Sequence, residues 1–272
     1  MLVTGSIVLY KSNRVVLLKA IDSFLNSRHD YPCILFLIDN SPTDDLKELK
    51  TDERIVYIFN PSNPGFGAAH NIAIKKAIEM DSKYHFVINP DVFFNTHVIS
   101  SMVNYIMGDC KIGMMMPKIL NTDLTRQNLP KLLPAPIDVV LRKLKKPDFI
   151  YKPFINKYEL RFVEDNRIYQ APILSGCFTL FNVDALKTKG LYDDGFFMYF
   201  EDWDISRRIS QSYKTIVFQE VSVVHEYESG ANRNKKLFQI FLKSAFHYFN
   251  KWGWFFDRER KKINSEILSQ FK

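Results

Sequence analysis

Short apolar runs rich in β-branched and aromatic residues alternate with stretches of helical periodicity through the first part of the chain. Leu2-Val3-Thr4-Gly5-Ser6-Ile7-Val8-Leu9-Tyr10 predicts a strand, and residues 13–25 a helix with Val16, Leu17, Ala20, Ile21 and Phe24 on one face. Ile34-Leu35-Phe36-Leu37-Ile38 predicts a second, buried strand ending at Asp39-Asn40-Ser41-Pro42, and residues 54–59 predict a third. This order is that of a doubly wound α/β sheet, mostly parallel and flanked by helices. Tyr84-His85-Phe86-Val87-Ile88 is too brief for a helix and fits a strand covered on both faces. It stops at Asn89-Pro90-Asp91. Ligands of open α/β sheets gather beyond the carboxyl ends of strands, so Asp91 stands where a phosphate-bound metal would be needed. The same tripeptide is also an ordinary turn signal.

Between the third strand and this one lies Asn60-Pro61-Ser62-Asn63-Pro64-Gly65-Phe66-Gly67-Ala68-Ala69-His70-Asn71, a Gly/Pro loop entering a small-residue helix. Glycines there allow close backbone approach to an anionic ligand, although the pattern matches neither a P-loop nor a full dinucleotide fingerprint. Seven of the twelve prolines fall in residues 117–172, interleaved with Lys131, Arg142, Lys143, Lys145, Lys146 and Lys152, which predicts a long, partly mobile excursion over a substrate. The sheet is expected to resume at residues 173–181. An aromatic run then leads into Glu201-Asp202-Trp203-Asp204, acids at a helix start where the dipole favours their ionised form. Asp204 and Arg208 are spaced as a surface pair; Glu201 and Asp202 read either as helix caps or as chemistry. Val221-Ser222-Val223-Val224-His225 predicts a last strand with a histidine, structural or functional, at its end.

Composition narrows the classes. With 272 residues and 46% hydrophobic content the chain can bury a core, and no run of eighteen apolar residues predicts a membrane span. The amino terminus lacks a basic start and cleavage site, so a cytoplasmic protein is expected. Cys33, Cys110 and Cys177 lie far apart and out of metal spacing, which predicts reduced thiols without functional signal. The net charge of +7 resides in residues 231–272, where ten Lys or Arg face three Asp or Glu. A neutral body argues against nucleic-acid binding. In the tail, Leu237, Phe238, Phe241, Leu242, Ala245, Phe246 and Phe249 recur at helical spacing and predict a docked helix. Trp252, Trp254, Phe255 and Phe256 before a basic cluster read as that helix's continuation or as a membrane-interface anchor.

Taken together, Asn63-Pro64-Gly65-Phe66-Gly67-Ala68-Ala69-His70-Asn71, Asn89-Pro90-Asp91, Ser175-Gly176-Cys177, Phe197-Met198-Tyr199-Phe200-Glu201-Asp202-Trp203-Asp204 and His225 with Ser229 resemble the inverting glycosyltransferases of family 2, GT-A fold, particularly their rhamnosyltransferase-like branch. The resemblance implies a catalytic domain over residues 1–230, its nucleotide-sugar half at 1–116 and acceptor half at 117–230, followed by a helical tail. It places Tyr10, Asp39 and Asn40 at base and ribose, and Gly65, Gly67, Asn71 and Asn89 along the nucleotide-sugar. Asp91 corresponds to the last carboxylate of the family's metal motif, and His225 would assist it in holding Mg²⁺ or Mn²⁺. Asn89 departs from that motif, an amide standing where a carboxylate is usual. Asp202 corresponds to the catalytic base with Glu201 beside it, and Ser175, Gly176 and Trp203 border sugar and acceptor. The implied reaction moves L-rhamnose from dTDP-rhamnose to a saccharide on polyprenyl diphosphate in cell-surface polysaccharide synthesis, such as O-antigen. The rivals are a UDP-sugar donor such as UDP-galactofuranose, or a catalytically silent sugar-binding module.

Overall fold

The computed structural model describes residues 1–226 and 235–272; Ser229 lies outside them. Strands β1 (Val3–Leu9), β2 (Cys33–Asp39), β3 (Ile55–Phe59) and β4 (Tyr84–Ile88) form the parallel order β3-β2-β1-β4. Helices α1 (Arg14–Leu25) and α2 (Phe66–Glu79) connect within it. Asn13 caps α1 by accepting from the Val15 and Val16 amides, and the predicted stripe of Leu17, Ala20, Ile21 and Phe24 is buried.

Beyond β4 the sheet departs from the parallel expectation. β8 (Phe178–Asn182) pairs antiparallel with β4 and with β6 (Ile112–Leu120). β9 (Lys214–His225) runs parallel to β6 and antiparallel to β5 (Val92–Phe94) and β7 (Tyr169–Gln170), so half of the eight pairings are antiparallel. The strand expected at residues 173–181 is β8, which begins at Phe178. With Ile88 opposite Phe178, the reversal lays Asn89-Pro90-Asp91 against residues 175–177. The last strand begins seven residues earlier than expected, because the buried run Thr215 to Val217 completes the ladder beside Met114, Met115 and Met116. α3 (Val98–Met107) and α6 (Val183–Lys189) cover the sheet.

The proline-rich excursion is folded. It forms α4 (Pro136–Leu144) and α5 (Asp148–Tyr158), with Ile155 and Tyr158 buried, and the Leu132 amide donates to the Tyr158 carbonyl. α7 (Glu201–Ser210) is braced by α8 (Lys235–Trp252) and α9 (Arg258–Ser269). Ser244 donates to the Met198 carbonyl, Trp252 donates to Asp204, and Asn264 exchanges two hydrogen bonds with the Leu133 backbone. Asp204, expected as a surface carboxylate, is fully buried among Arg208, Lys251 and Trp252. Most of the expected anchor is thus packed: Trp254 lies against Phe246 and Phe249, leaving Phe255 and Phe256 exposed. No helix among the described residues is long and apolar enough to cross a membrane.

A buried polar line fastens α2 to the sheet: Thr4 and Ser6 bracket His85, and Ser6 reaches His70, each contact at 2.8 Å. Burial holds His85 down to about 3 and His70 well below its ordinary value. Both are therefore neutral when folded and bind protons only when unfolded as pH drops below 6.5. Each contributes stability that is present above that pH and lost below it, by up to about 1.4 kcal/mol per pH unit. The melting temperature is expected to fall on acidification from pH 6.5 toward 3, less steeply in His85→Gln; parallel curves would contradict this origin.

Candidate active site

Two acidic groups far apart in sequence are tied to consecutive residues of one turn. The Asn89 amide donates to the Cys177 carbonyl at 2.8 Å, which fixes the end of β4, and Asp91 follows two residues on. The Gly176 amide donates to Asp202 Oδ2 at 3.3 Å, and the Trp203 amide donates to Oδ1 at 3.0 Å. Gly176 buries its backbone against Phe66 and the Asp202 Cβ, so a larger residue would press on both. The predicted trio Ser175, Gly176 and Asp202 meets here, and Trp203 is buried beside it.

At the metal end, His225 Nε2 lies 3.3 Å from Asp91 Oδ1 and 3.4 Å from Asn89 Nδ2. The first is an ion-pair contact without hydrogen-bond geometry, and Oδ1 of Asp91 and Oδ1 of Asn89 are both buried without a hydrogen-bond partner. Burial alone would lower the His225 pKa, but the Asp91 and Cys177 side chains push it up to about 10. Gln127 Oε1 accepts from Nδ1, 3.1 Å away, and orients the ring. Once a cation displaces the Nε2 proton, the imidazole joins one carboxylate and one amide oxygen in a hard N/O donor set that fits a divalent cation sharing phosphate oxygens. No group of three His, Cys, Asp or Glu converges among the described residues, so the chain supplies a partial shell.

The carboxylates of α7 differ from the sequence expectation in their charge. Dipole stabilisation at the helix start was expected to keep both ionised; burial outweighs it. Glu201 is 6% exposed, its Oε2 has no partner, and burial, reinforced by Asp202, raises its pKa far above the carboxylate range. Asp202 is partly exposed. Its pKa is also raised by burial, but the Lys131 ammonium and the Gly176 and Trp203 amides pull it back. Of the pair, Glu201 holds the proton and Asp202 is the carboxylate that ionises first. The backbone leading into them is strained: Tyr199 and Phe200 take φ of 71° and 68°. Phe200 is held there by ring contacts with Trp203, Phe241 and Tyr248.

Several predicted residues are engaged within the protein. Asn71 donates to the Tyr192 carbonyl and Asp194 and accepts from the Tyr192 amide, so its amide braces the loop before α7. Gly65, at φ 109°, has no room for a side chain because a Cβ would fall on the Phe197 carbonyl. At Gly67 a Cβ would lie 2.8 Å from that of Tyr192. Both glycines therefore serve the packing of α2 on residues 192–197. Asp39 is buried, accepting from the Ser41 amide and from Tyr57; Asn40 joins Asn60 and Asn63. Tyr10 is 52% exposed at the end of β1.

Two residues at the site carry no signal in the sequence. Lys131 appeared only as one base of a proline-rich stretch. It is 3% exposed, 5.4 Å over the Trp203 ring, and its ammonium donates to the Leu129 carbonyl at 2.5 Å. Burial, with a smaller push from Arg142, lowers its pKa to about 8, against the pull of Asp202. Cys177, read as an inert thiol, touches His225.

Known proteins share the fold and part of the sequence. The low-salt glycan biosynthesis hexosyltransferase Agl10 of Haloferax volcanii is 21% identical over 209 residues, 76% of this chain and 63% of its own length. A structure of GalNAc-T7 with UDP, GalNAc and Mn²⁺ superposes with a TM-score of 0.67 at 17% identity, covering 95% of this chain and 48% of that one. TarS of S. aureus, residues 1–349 with UDP, superposes at 0.59 and 11% identity, over 99% of this chain and 71% of that one. The chain thus spans less than two thirds of the Agl10 and GalNAc-T7 chains. The family model of glycosyl transferase family 2 matches residues 6–189, taking in β1 through β8 and stopping short of α7. With two thirds of its length so matched, the chain belongs to glycosyl transferase family 2.

Proposed function

We propose that the protein transfers a sugar from a nucleoside diphosphate donor to a saccharide hydroxyl, inverting the anomeric centre. The observation that carries this reading is the attachment of Asp202 to Gly176 and of the Asp91 segment to Cys177, which sets both acids around one turn. Residues 1–116 hold the donor and residues 117–230 the acceptor. The acceptor oxygen attacks the anomeric carbon from the face opposite the diphosphate, whose C–O bond breaks, and the hydroxyl proton passes to Asp202. Lys131 keeps Asp202 ionised for that transfer, and Glu201, neutral behind it, avoids a second negative charge. Asp91 and His225, with the Asn89 oxygen, would hold Mg²⁺ or Mn²⁺. A cation there stabilises charge on the leaving diphosphate.

The Asn89-Pro90-Asp91 form favours dTDP-L-rhamnose as donor; the UDP in the GalNAc-T7 and TarS structures favours a UDP-sugar. A thermal-shift screen of both donor classes with and without Mn²⁺ separates them, since a ligand of the folded state raises its melting temperature. The acceptor is a saccharide on a lipid diphosphate. Asp91→Ala is expected to weaken Mn²⁺-dependent nucleotide binding by about tenfold or more in calorimetry. Unchanged affinity would remove Asp91 from the cation site.

A further inference from the structure

The folded excursion ends in a tip that the catalytic reading leaves unexplained. Every residue from 143 to 150 is exposed. Among them Leu144, Phe149 and Ile150 are 64%, 78% and 46% exposed. Ile137 and Val140 continue the patch along the outer side of α4, at the spacing of one helical stripe with Leu144, while Val139 turns inward. Water-facing apolar side chains gathered this closely mark a contact surface. Their neighbours are cationic: Lys143, Lys145, Lys146 and Lys152 surround them, and the acid among them, Asp148, pairs with Lys152 at 3.1 Å.

We propose that this tip is the surface by which the protein sits on an anionic lipid bilayer. Apolar side chains would enter the headgroup boundary while the lysines meet anionic headgroups, the two attractions that hold interfacial helices. Its location supports this. Directly behind the tip, Arg142, Lys143, Lys145 and Arg161 line a cavity of about 350 Å³ together with Tyr199, Trp203 and Phe241. Glu159 is the one carboxylate lining it, shared between Arg142 and Arg161, so the walls remain positive. Trp203 follows Asp202 in the chain, so the cavity reaches the residue next to the base. A lipid-borne acceptor would reach Asp202 from there. In the expected tail anchor Trp252 and Trp254 are turned into the protein and Phe255 and Phe256 face outward, while Phe238, Leu242 and Phe246 of the stripe expected to dock are also exposed on α8.

The inference gives the proposed lipid-linked acceptor its route, yet vesicle binding is read without sugar transfer. A protein that floats with membranes and transfers nothing would defeat the proposed function and leave this surface standing. Flotation with phosphatidylglycerol-containing vesicles compares wild type with Leu144→Ser/Phe149→Ser, Lys145→Glu/Lys146→Glu and Phe255→Ser/Phe256→Ser. Both tip variants are expected to lose partitioning by about tenfold or more, with unchanged melting temperatures because the altered side chains are exposed. The tail variant should float like wild type, and pure phosphatidylcholine vesicles should recruit little protein. Wild-type flotation retained by the tip variants, lost only in the tail variant, or absent altogether would overturn the proposal. Equal recruitment by phosphatidylcholine would overturn it too, as would a wild-type dimer that dissociates in the tip variants without any vesicle binding.

Discussion

Asp202→Asn is expected to lower the transfer rate by about 10² to 10⁴ while leaving nucleotide-sugar affinity within a fewfold of wild type. The amide retains the volume, and its oxygen can still accept from one of the two backbone amides, Gly176 or Trp203, so most of the turn that joins the two acids stays in place. What it cannot do is take a proton from the acceptor hydroxyl. Transfer at the wild-type rate would assign the base elsewhere. The same site predicts a pH profile. Burial raises the Asp202 pKa, so activity should fall on acidification at a pH above the ordinary carboxylate range. Lys131, whose own pKa lies near 8, opposes that rise while charged. Lys131→Met should therefore move the acid limb to still higher pH without changing its shape. A limb that stays in place would mean that Lys131 serves only the packing under Trp203.

The largest effect on stability is expected from Asp257→Ala. Arg207 is 1% exposed in α7 and forms a two-pronged pair with Asp257 at 2.7 and 2.8 Å, with Glu259 at 3.1 Å and the Trp252 ring 4.1 Å away. Removing Asp257 leaves a buried guanidinium with only a partly exposed partner and also deletes the α9 cap at the Arg260 amide. A buried charge deprived of its partner costs about 3–5 kcal/mol, a large share of the roughly 5–15 kcal/mol that holds a domain together. Thermal denaturation should register a drop of about 10 °C. The double change Arg207→Met/Asp257→Leu should recover much of it, because exchanging a buried ion pair for apolar side chains is often near neutral. A single variant that melts within a degree or two of wild type would remove this pair as the clamp on α7. Ending the chain near residue 250 would remove the same clamp together with Trp252, so membrane binding is better probed by surface substitutions than by truncation.

The local signals in the sequence were sound where a single element decides the outcome. The β1 to β4 strands, the α1 stripe and the α8 helix follow from periodicity, and the acids at the ends of β4 and at the start of α7 follow from composition at element boundaries. The tail needed its surroundings: the aromatic run from Trp252 onward has an interfacial composition, yet Asp204 and Phe249 claim its tryptophans. The excursion likewise looked partly mobile from its prolines, although Ala135 precedes a proline at the first turn of α4, where a missing amide hydrogen does no harm.

By itself the sequence determined that β1 to β4, α1, α2, α7 and α8 form and that carboxylates stand at the end of β4 and the start of α7, since both depend on neighbours a few positions away. Only the tertiary structure decided that β8 would run against β4 and carry Gly176 and Cys177 between Asp91 and Asp202. It also decided that Glu201 would keep its proton and that Lys131 would lie under Trp203. Charge states inside a protein are set by lost water and by partners that arrive from distant parts of the chain, and no periodicity records either.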